Sequence, residues 1–161
     1  MLKIGRLTDY GTVILARLAH VPGQQLTAAE LAAQTHLPRA TVSKLLKQLH
    51  GSGLVSSTRG LHGGYRLARA PGLITAAQIL AALEGPVALT ECSHQVNHCG
   101  IEASCGVGRA WQRVNLAIQR TLQEVTLLDL AGIAAAPVQF AALERSTTAA
   151  LRGAVPTRVT P

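Results

Sequence analysis

Two amphipathic segments joined by a short proline-containing turn constrain the fold of this chain more than any other feature. The first opens with Thr27-Ala28-Ala29-Glu30, the pattern of a capping box, in which the hydroxyl and the carboxylate each accept a hydrogen bond from the other residue's backbone. The second segment, residues 39–50, carries an apolar stripe at helical spacing. The stripe consists of Val42, Leu45, Leu46 and Leu49. Two short helices joined in this way predict a helix-turn-helix.

The polar residues of the second helix lie off its apolar stripe. A recognition helix places such side chains in the major groove of DNA. The expected DNA-contacting residues of this helix are Arg39, Thr41, Ser43, Lys44 and Lys47.

A glycine-rich hairpin is predicted directly after the recognition helix. Residues 54–58 and 65–68 have the pattern of two short strands, and Arg59-Gly60-Leu61-His62-Gly63-Gly64 lies between them. Glycines permit positive φ and let a backbone approach DNA closely. A hairpin in this place is a wing, and its expected DNA-contacting residues are Arg59, His62, Gly63, Gly64 and Arg66.

The excess positive charge lies in the N-terminal part of the chain. The formal net charge is +7; residues 1–70 contain nine Lys or Arg against Asp9 and Glu30, whereas residues 71–161 contain six Arg against six acidic residues. Such a concentration is expected where phosphates are bound.

The composition indicates a helical protein without membrane spans. Hydrophobic residues make up 48% of the chain and aromatic residues 2%, so the core is built from Leu, Ala, Val and Ile. No apolar run reaches the roughly 18 residues that a bilayer span requires. We therefore expect a cytoplasmic protein with no membrane partner.

Further helices are predicted beyond the wing. Thr75 caps a helix that Gly85-Pro86 ends, and a long amphipathic helix follows later. Its stripe is Trp111, Val114, Ile118, Leu122 and Val125. A helix of this length has too little of its own chain to pack on, so we expect it to pack antiparallel on the same helix of a second subunit. The alternative is a helix folded back on its own domain.

The expected fold class is mainly α with a small β-wing: a winged helix-turn-helix plus a long dimerisation helix. The expected organisation is a DNA-binding domain over residues 1–70, a connecting helix over 71–86, a cysteine loop over 87–108, a dimerisation helix over 109–130 and a mobile tail over 131–161.

All three cysteines lie within fourteen residues, as Cys92, Cys99 and Cys105. Three thiols cannot all pair as disulfides, and soft thiolates in one loop suit an iron–sulfur cluster. Zinc is a weaker alternative because structural zinc favours ligand pairs separated by two to four residues. A switch made by thiol oxidation alone also remains open.

In this order along the chain, several motifs resemble the bacterial winged-helix iron–sulfur transcriptional regulators that include IscR and NsrR. The resemblance covers roughly residues 1–130. Its motifs are Leu7-Thr8-Asp9-Tyr10-Gly11, Leu37-Pro38-Arg39-x-Thr41-Val42-Ser43-Lys44-Leu45-Leu46, Gly60-x-x-Gly63-Gly64-Tyr65-Arg66-Leu67 and Ala81-x-Leu83-Glu84-Gly85-Pro86, with the three cysteines and Trp111. The Leu89-Thr90-Glu91-Cys92 segment is most similar to the SUF-system regulators, which control genes of iron–sulfur cluster assembly.

The resemblance implies a homodimer that binds a pseudo-palindromic double-stranded DNA operator and holds an iron–sulfur cluster on the three cysteines. In IscR-like members a histidine three residues after the last cysteine completes the site. This chain has Gly108 in that place, so an IscR-like fourth ligand is missing.

In NsrR-like members an aspartate of the Thr-Asp-Tyr-Gly motif reaches the cluster of the partner subunit, and Asp9 stands in the matching position. Asp9 is therefore the expected fourth ligand, supplied by the partner subunit. His94 and His98 in the loop are the alternatives. Three cysteines and an aspartate favour [4Fe–4S] over [2Fe–2S].

The leading hypothesis is a transcriptional regulator whose operator binding is controlled by an iron–sulfur cluster, with SUF genes as targets. One alternative is an iron–sulfur carrier or redox protein whose winged domain serves protein contacts. Another is a regulator that senses redox state by its thiols alone. We do not expect an enzyme, because the sequence contains no nucleophile elbow, phosphate-binding loop or paired-carboxylate arrangement.

Overall fold

The computed structural model describes residues 4–60, 63–89 and 106–134. The elements are α1 Arg6–Ala19, α2 Ala28–Thr35, α3 Arg39–Gly51, β1 Val55–Thr58, β2 Gly64–Leu67, a 3-10 turn Pro71–Leu73, α4 Ala76–Leu83, α5 Gly108–Glu124 and α6 Leu127–Leu130. The strands form a two-stranded antiparallel sheet. This mainly helical chain with a small wing confirms the predicted fold class.

The helix-turn-helix is set by local capping. The Thr27 hydroxyl accepts from the Glu30 N–H at 3.2 Å, and the Thr27 N–H donates to the Glu30 carboxylate at 2.7 Å, so the predicted capping box is confirmed. The hydrogen bonds that the Thr27 N–H and hydroxyl donate to the Glu30 carboxylate lower the pKa of Glu30. At the other end of α2, His36 adopts a left-handed conformation with φ 56°. The chain then turns into Pro38, the N-cap of α3.

The core extends well beyond the predicted winged domain. The α3 stripe of Val42, Leu45, Leu46 and Leu49 is fully buried, as are Ile14 and Leu15 of α1. Ile74, Ile79 and Leu127 belong to the same buried cluster. The segments that follow the wing therefore pack against α1–α3 in one continuous core.

The long helix ends earlier than the sequence suggests. Val125, expected on the helix stripe, is extended and follows the last helical residue, Glu124. Its carbonyl accepts from the Ala76 N–H at 2.8 Å. Thr126 and Asp129 then form a further capping box that starts α6 and lowers the pKa of Asp129. The predicted single helix over 109–130 is wrong because this box and the pairing with α4 interrupt it.

Several expected features lie outside the described residues. These are the three cysteines with His94 and His98, His62 at the tip of the wing, and residues 135–161 of the expected tail. Among the helices that the structure does describe, none is long and apolar enough to cross a membrane.

Candidate nucleic-acid interface and its connection to the cysteine loop

The exposed face of α3 is basic. Arg39, Ser43, Lys44 and Lys47 are exposed and Thr41 is half-buried, while the opposite face is buried in the core. Residues three or four apart share a helix face, so Ser43, Lys44 and Lys47 lie together. This is the surface that a recognition helix offers to the major groove.

Gln48 also lies on the exposed part of α3, but its amide is already engaged. Its Nε2 donates to the carbonyl oxygens of Ala82 and Leu83, each at 3.1 Å. These carbonyls belong to the last turn of α4. This contact could not be predicted from the sequence, because Gln48 and its acceptors are 34 and 35 residues apart.

The wing is tied to the segment that precedes α2. Leu26 pairs with Tyr65 through hydrogen bonds of 3.0 and 2.8 Å, and Val55–Thr58 pairs with Gly64–Leu67. Arg66 is exposed, and its Nε donates to the Ser56 hydroxyl at 3.3 Å across the hairpin. Arg59 follows β1 and is exposed.

At two glycines of the wing, neighbouring backbone atoms leave no room for a side chain. A methyl group on Gly63 would overlap the Thr58 carbonyl oxygen, and one on Gly64 would lie 2.9 Å from the Leu26 carbonyl oxygen. Gly60 is the described glycine of this hairpin that adopts a positive φ, 113°. Close packing within the wing accounts for Gly63, and close packing against Leu26 accounts for Gly64. Their contact with DNA stays a prediction.

The end of α4 is bound to the start of α1. The Glu84 carboxylate accepts from the Gly5 N–H at 2.7 Å and from the Thr8 hydroxyl at 2.5 Å. Thr8 is 2% exposed. The first turn of α1, which also carries Asp9, is thereby fixed against the residue that precedes Gly85-Pro86.

The entry to the cysteine loop is bound to α5. The Leu89 N–H donates to Asn115 Oδ1 at 3.3 Å, and Gln119 Nε2 donates to the Val87 carbonyl at 2.9 Å. Asn115 is 4% exposed and is the one buried residue of α5. The sequence pattern predicts only apolar contacts for this helix. The contacts of the Asn115 and Gln119 amides were not predicted.

The predicted dimerisation stripe divides into two parts. Trp111 and Val114 are 47% and 43% exposed. Ile118 and Leu122 are half-buried and line a cavity of about 510 Å³ with α4 and residues 85–89. Part of the stripe therefore packs within the subunit, and the exposed part is available to a second one.

Asp9 is exposed on α1 and lines a surface depression of about 730 Å³ with Ile4, Gly5 and Arg6. Its carboxylate is therefore accessible from outside its own subunit. Within residues 4–60, 63–89 and 106–134, no three His, Cys, Asp or Glu residues are grouped closely enough to hold a metal ion. A cluster site would depend on the cysteines, and three thiols with one accessible carboxylate are a suitable donor set for iron.

Comparison with known proteins agrees with this arrangement. The family model Rrf2, described as an iron-dependent transcriptional regulator, matches residues 4–132. The HTH-type transcriptional regulator CymR of Bacillus subtilis is 34% identical over 131 residues, which cover 81% of this chain and 90% of CymR. The HTH-type transcriptional regulator NsrR of Bacillus licheniformis is 28% identical over 131 residues, covering 80% and 92%.

Solved structures show the same fold. The structure of CymR, described as the global cysteine regulator of B. subtilis, has a TM-score of 0.65 at 31% identity and covers 83% of this chain and 99% of CymR. T. potens IscR has a TM-score of 0.61 at 28% identity, covering 80% and 85%. The exposed basic helix, the wing and these matches identify the chain as a member of the Rrf2 family of transcriptional regulators.

Proposed function

We propose that this regulator binds operator DNA as a homodimer and that an iron–sulfur cluster on Cys92, Cys99 and Cys105 controls its affinity. Regulation of transcription is the function of its family. The alternative of a cluster carrier or redox protein has no support from the relatives. DNA would be contacted by the exposed basic residues of α3 and the wing.

One observation carries the proposal: the recognition helix and the entry to the cysteine loop are attached to the same short helix, α4. Gln48 of α3 binds the last turn of α4. Only residues 84–88 separate that turn from Leu89, whose N–H donates to Asn115. A change in the loop therefore starts within a few residues of the contact that positions α3.

The proposed fourth ligand is Asp9 of the partner subunit, with His94 and His98 as alternatives. Asp9 is exposed and lies one residue from Thr8, which Glu84 holds. When bound, a [4Fe–4S] cluster, which we favour over [2Fe–2S], would supply a removable link between thiolates of one subunit and a carboxylate of the other. A ligand can shift a conformational equilibrium only by binding one state better than another.

Homodimerisation is proposed through the exposed part of α5. Trp111 and Val114 lie on the predicted stripe and are accessible. A two-fold pairing would also place two recognition helices for half-sites about one DNA turn apart. Sedimentation of the wild type and a Val114→Arg variant tests this, because a charge in the interface should give a monomer.

Anaerobic isolation tests the cluster. The protein should be brown and contain iron and acid-labile sulfide, and replacing any of the three cysteines with alanine should abolish the full spectrum. Stoichiometric zinc without sulfide would contradict the proposal. A cysteine whose alanine variant keeps the complete cluster is not a ligand.

A thiol-only sensor is the second candidate function. It is favoured by the 34% identity to CymR, a protein described as a global cysteine regulator. Here the reduced protein would contain neither iron nor sulfide, yet oxidation by diamide would change its operator affinity. The same anaerobic preparation therefore decides between the two candidates.

We propose the SUF genes of iron–sulfur cluster assembly as targets, which rests on the resemblance of residues 89–92. Selection of genomic fragments by the purified protein tests this. Enrichment of promoters unrelated to cluster assembly would contradict the target assignment while leaving the DNA-binding function intact.

A further inference from the structure

The last turn of α4 and Glu84, the residue that follows it, are together hydrogen-bonded to two other helices. On one side, the carbonyls of Ala82 and Leu83 accept from Gln48 of the recognition helix. On the other, Glu84 accepts from Gly5 and Thr8 at the start of α1. These contacts form a brace, which we define by Gln48, Ala82, Leu83, Glu84 and Thr8.

The brace satisfies groups that would otherwise lack partners. The last four carbonyl oxygens of a helix have no N–H donor within the helix. Gln48 supplies one amide group to two of them, across 34 and 35 residues of sequence. The Nε2 donor, engaged in this way, is not free to read a base edge, although Gln48 is exposed on the proposed recognition helix.

The N-terminal part of α1 lies close against the side chains of the brace. A methyl group on Gly5 would lie 2.7 Å from Glu84 Oε1, and one on Gly11 would lie 2.5 Å from Leu83 Cδ1. Because both positions lack a side chain, α1 lies directly against the end of α4. Thr8 completes the contact from a position that is 2% exposed.

We propose that Gln48 and Glu84 are positioning residues for DNA recognition, which fix the orientation of α3 relative to α1 through the end of α4. The inference rests on the proposed function and deepens it. It names the contacts by which a change at the cysteine loop, or at Asp9 beside Thr8, reaches the DNA-reading face. Neither residue needs to touch DNA.

Operator titrations of four variants test the brace: Gln48→Met, which keeps the length of the side chain but removes its amide, Glu84→Ala, the double variant and Thr8→Val. Gln34→Ala is the matched control, because Gln34 accepts from Arg17 at 2.6 Å in an interhelical contact away from α4. Thermal unfolding identifies any variant that has lost its fold. Thr8→Val replaces Glu84→Ala if the latter does not fold.

Each single variant should lower operator affinity about three- to tenfold, the typical effect of one hydrogen bond. The slope of affinity against salt should stay unchanged, because no Lys or Arg is lost. The double variant should bind only slightly less tightly than the single variant of lower affinity. The reason is that the losses caused by two residues that act through one contact do not add up. Gln34→Ala should bind like the wild type.

Two results would overturn the inference. If the brace-side variant (Glu84→Ala or Thr8→Val) binds DNA like the wild type while Gln48→Met binds weakly, Gln48 acts at the DNA by itself. If the double variant loses the product of the two single losses, the residues act independently. Gln48→Met with wild-type affinity would also exclude the positioning role.

A second arm separates this inference from the proposed function. Operator affinities are measured for both the protein loaded anaerobically with Fe²⁺ and sulfide and the protein from which they have been removed. The variants are compared first in whichever form binds more tightly. If the operator affinity of the wild type does not change on loading or removal, the proposed function is contradicted. The comparison of the double variant with the single variants still tests the brace in that case. If the wild type responds, Gln48→Met should respond less, and an undiminished response would contradict transmission through the brace.

Discussion

Gly64 lies so close to Leu26 that a methyl group on its α-carbon would be 2.9 Å from both the carbonyl carbon and the carbonyl oxygen of Leu26. The contact exists because Tyr65, the next residue, pairs with Leu26 through two backbone hydrogen bonds. Backbone pairing therefore holds the wing against the segment that leads into α2.

Gly64→Ala should destabilise the protein by about 1–3 kcal/mol, the usual effect of overpacking. The contacted atoms are backbone atoms, which cannot turn aside. Thermal unfolding measures the effect, and Gly51→Ala is the control, since a methyl group there would meet nothing within 4 Å. Equal melting temperatures for Gly64→Ala and the wild type would show that the wing can shift without loss.

Lys44 and Lys47 should contribute phosphate contacts. Replacing either with alanine should weaken binding to all DNA sequences alike and reduce the slope of log affinity against log salt by about 1. Arg120→Ala removes the same charge from an exposed position on α5 and should leave the slope unchanged. If Arg120→Ala lowers the slope as much as the two lysine variants do, net charge rather than the α3 face governs binding.

Arg59 should read bases or the minor groove from the wing. Its side chain is exposed beside Gly60, and its replacement by alanine should cost about 1–3 kcal/mol in operator binding and relax sequence preference. Competition between operator and random DNA measures both effects. Wild-type affinity in Arg59→Ala would remove the wing from the DNA interface.

Asn115→Leu should loosen the entry to the cysteine loop. The change removes the acceptor of the half-buried Leu89 N–H, and the loss of one such hydrogen bond costs about 0.5–1.5 kcal/mol. The cysteines of the reduced, unloaded protein should then react faster with a thiol reagent. Gln123→Leu, at an exposed position of the same helix, is the control. An unchanged reaction rate in Asn115→Leu would mean that this hydrogen bond does not restrain the loop.

The features that sequence predicted well are set by neighbours along the chain. The Thr27 capping box needs residues three apart, and the α3 stripe follows from helical periodicity, so both were confirmed. The end of α5 was missed because it depends on the distant pairing of Val125 with Ala76.

The residues that link α3 and the entry to the cysteine loop to their neighbours could not be predicted from the sequence, for the same reason. Gln48 and Asn115 are ordinary polar residues until their partners, 34 and 26 residues away, come into contact. The glycines of the wing could be recognised as special, but the pairing of Leu26 with Tyr65 is what gives Gly64 its reason.

The central claim is that the state of the cysteine loop sets the affinity of α3 and the wing for DNA. Its most direct test is the operator affinity of one anaerobic preparation, at one salt concentration, before and after iron and sulfide are removed. We predict a change of about fivefold or more, the lower range of typical coupling between sites. Asp9→Ala should keep iron on the three cysteines but show a smaller change. Equal affinities of the wild type before and after removal would contradict the account.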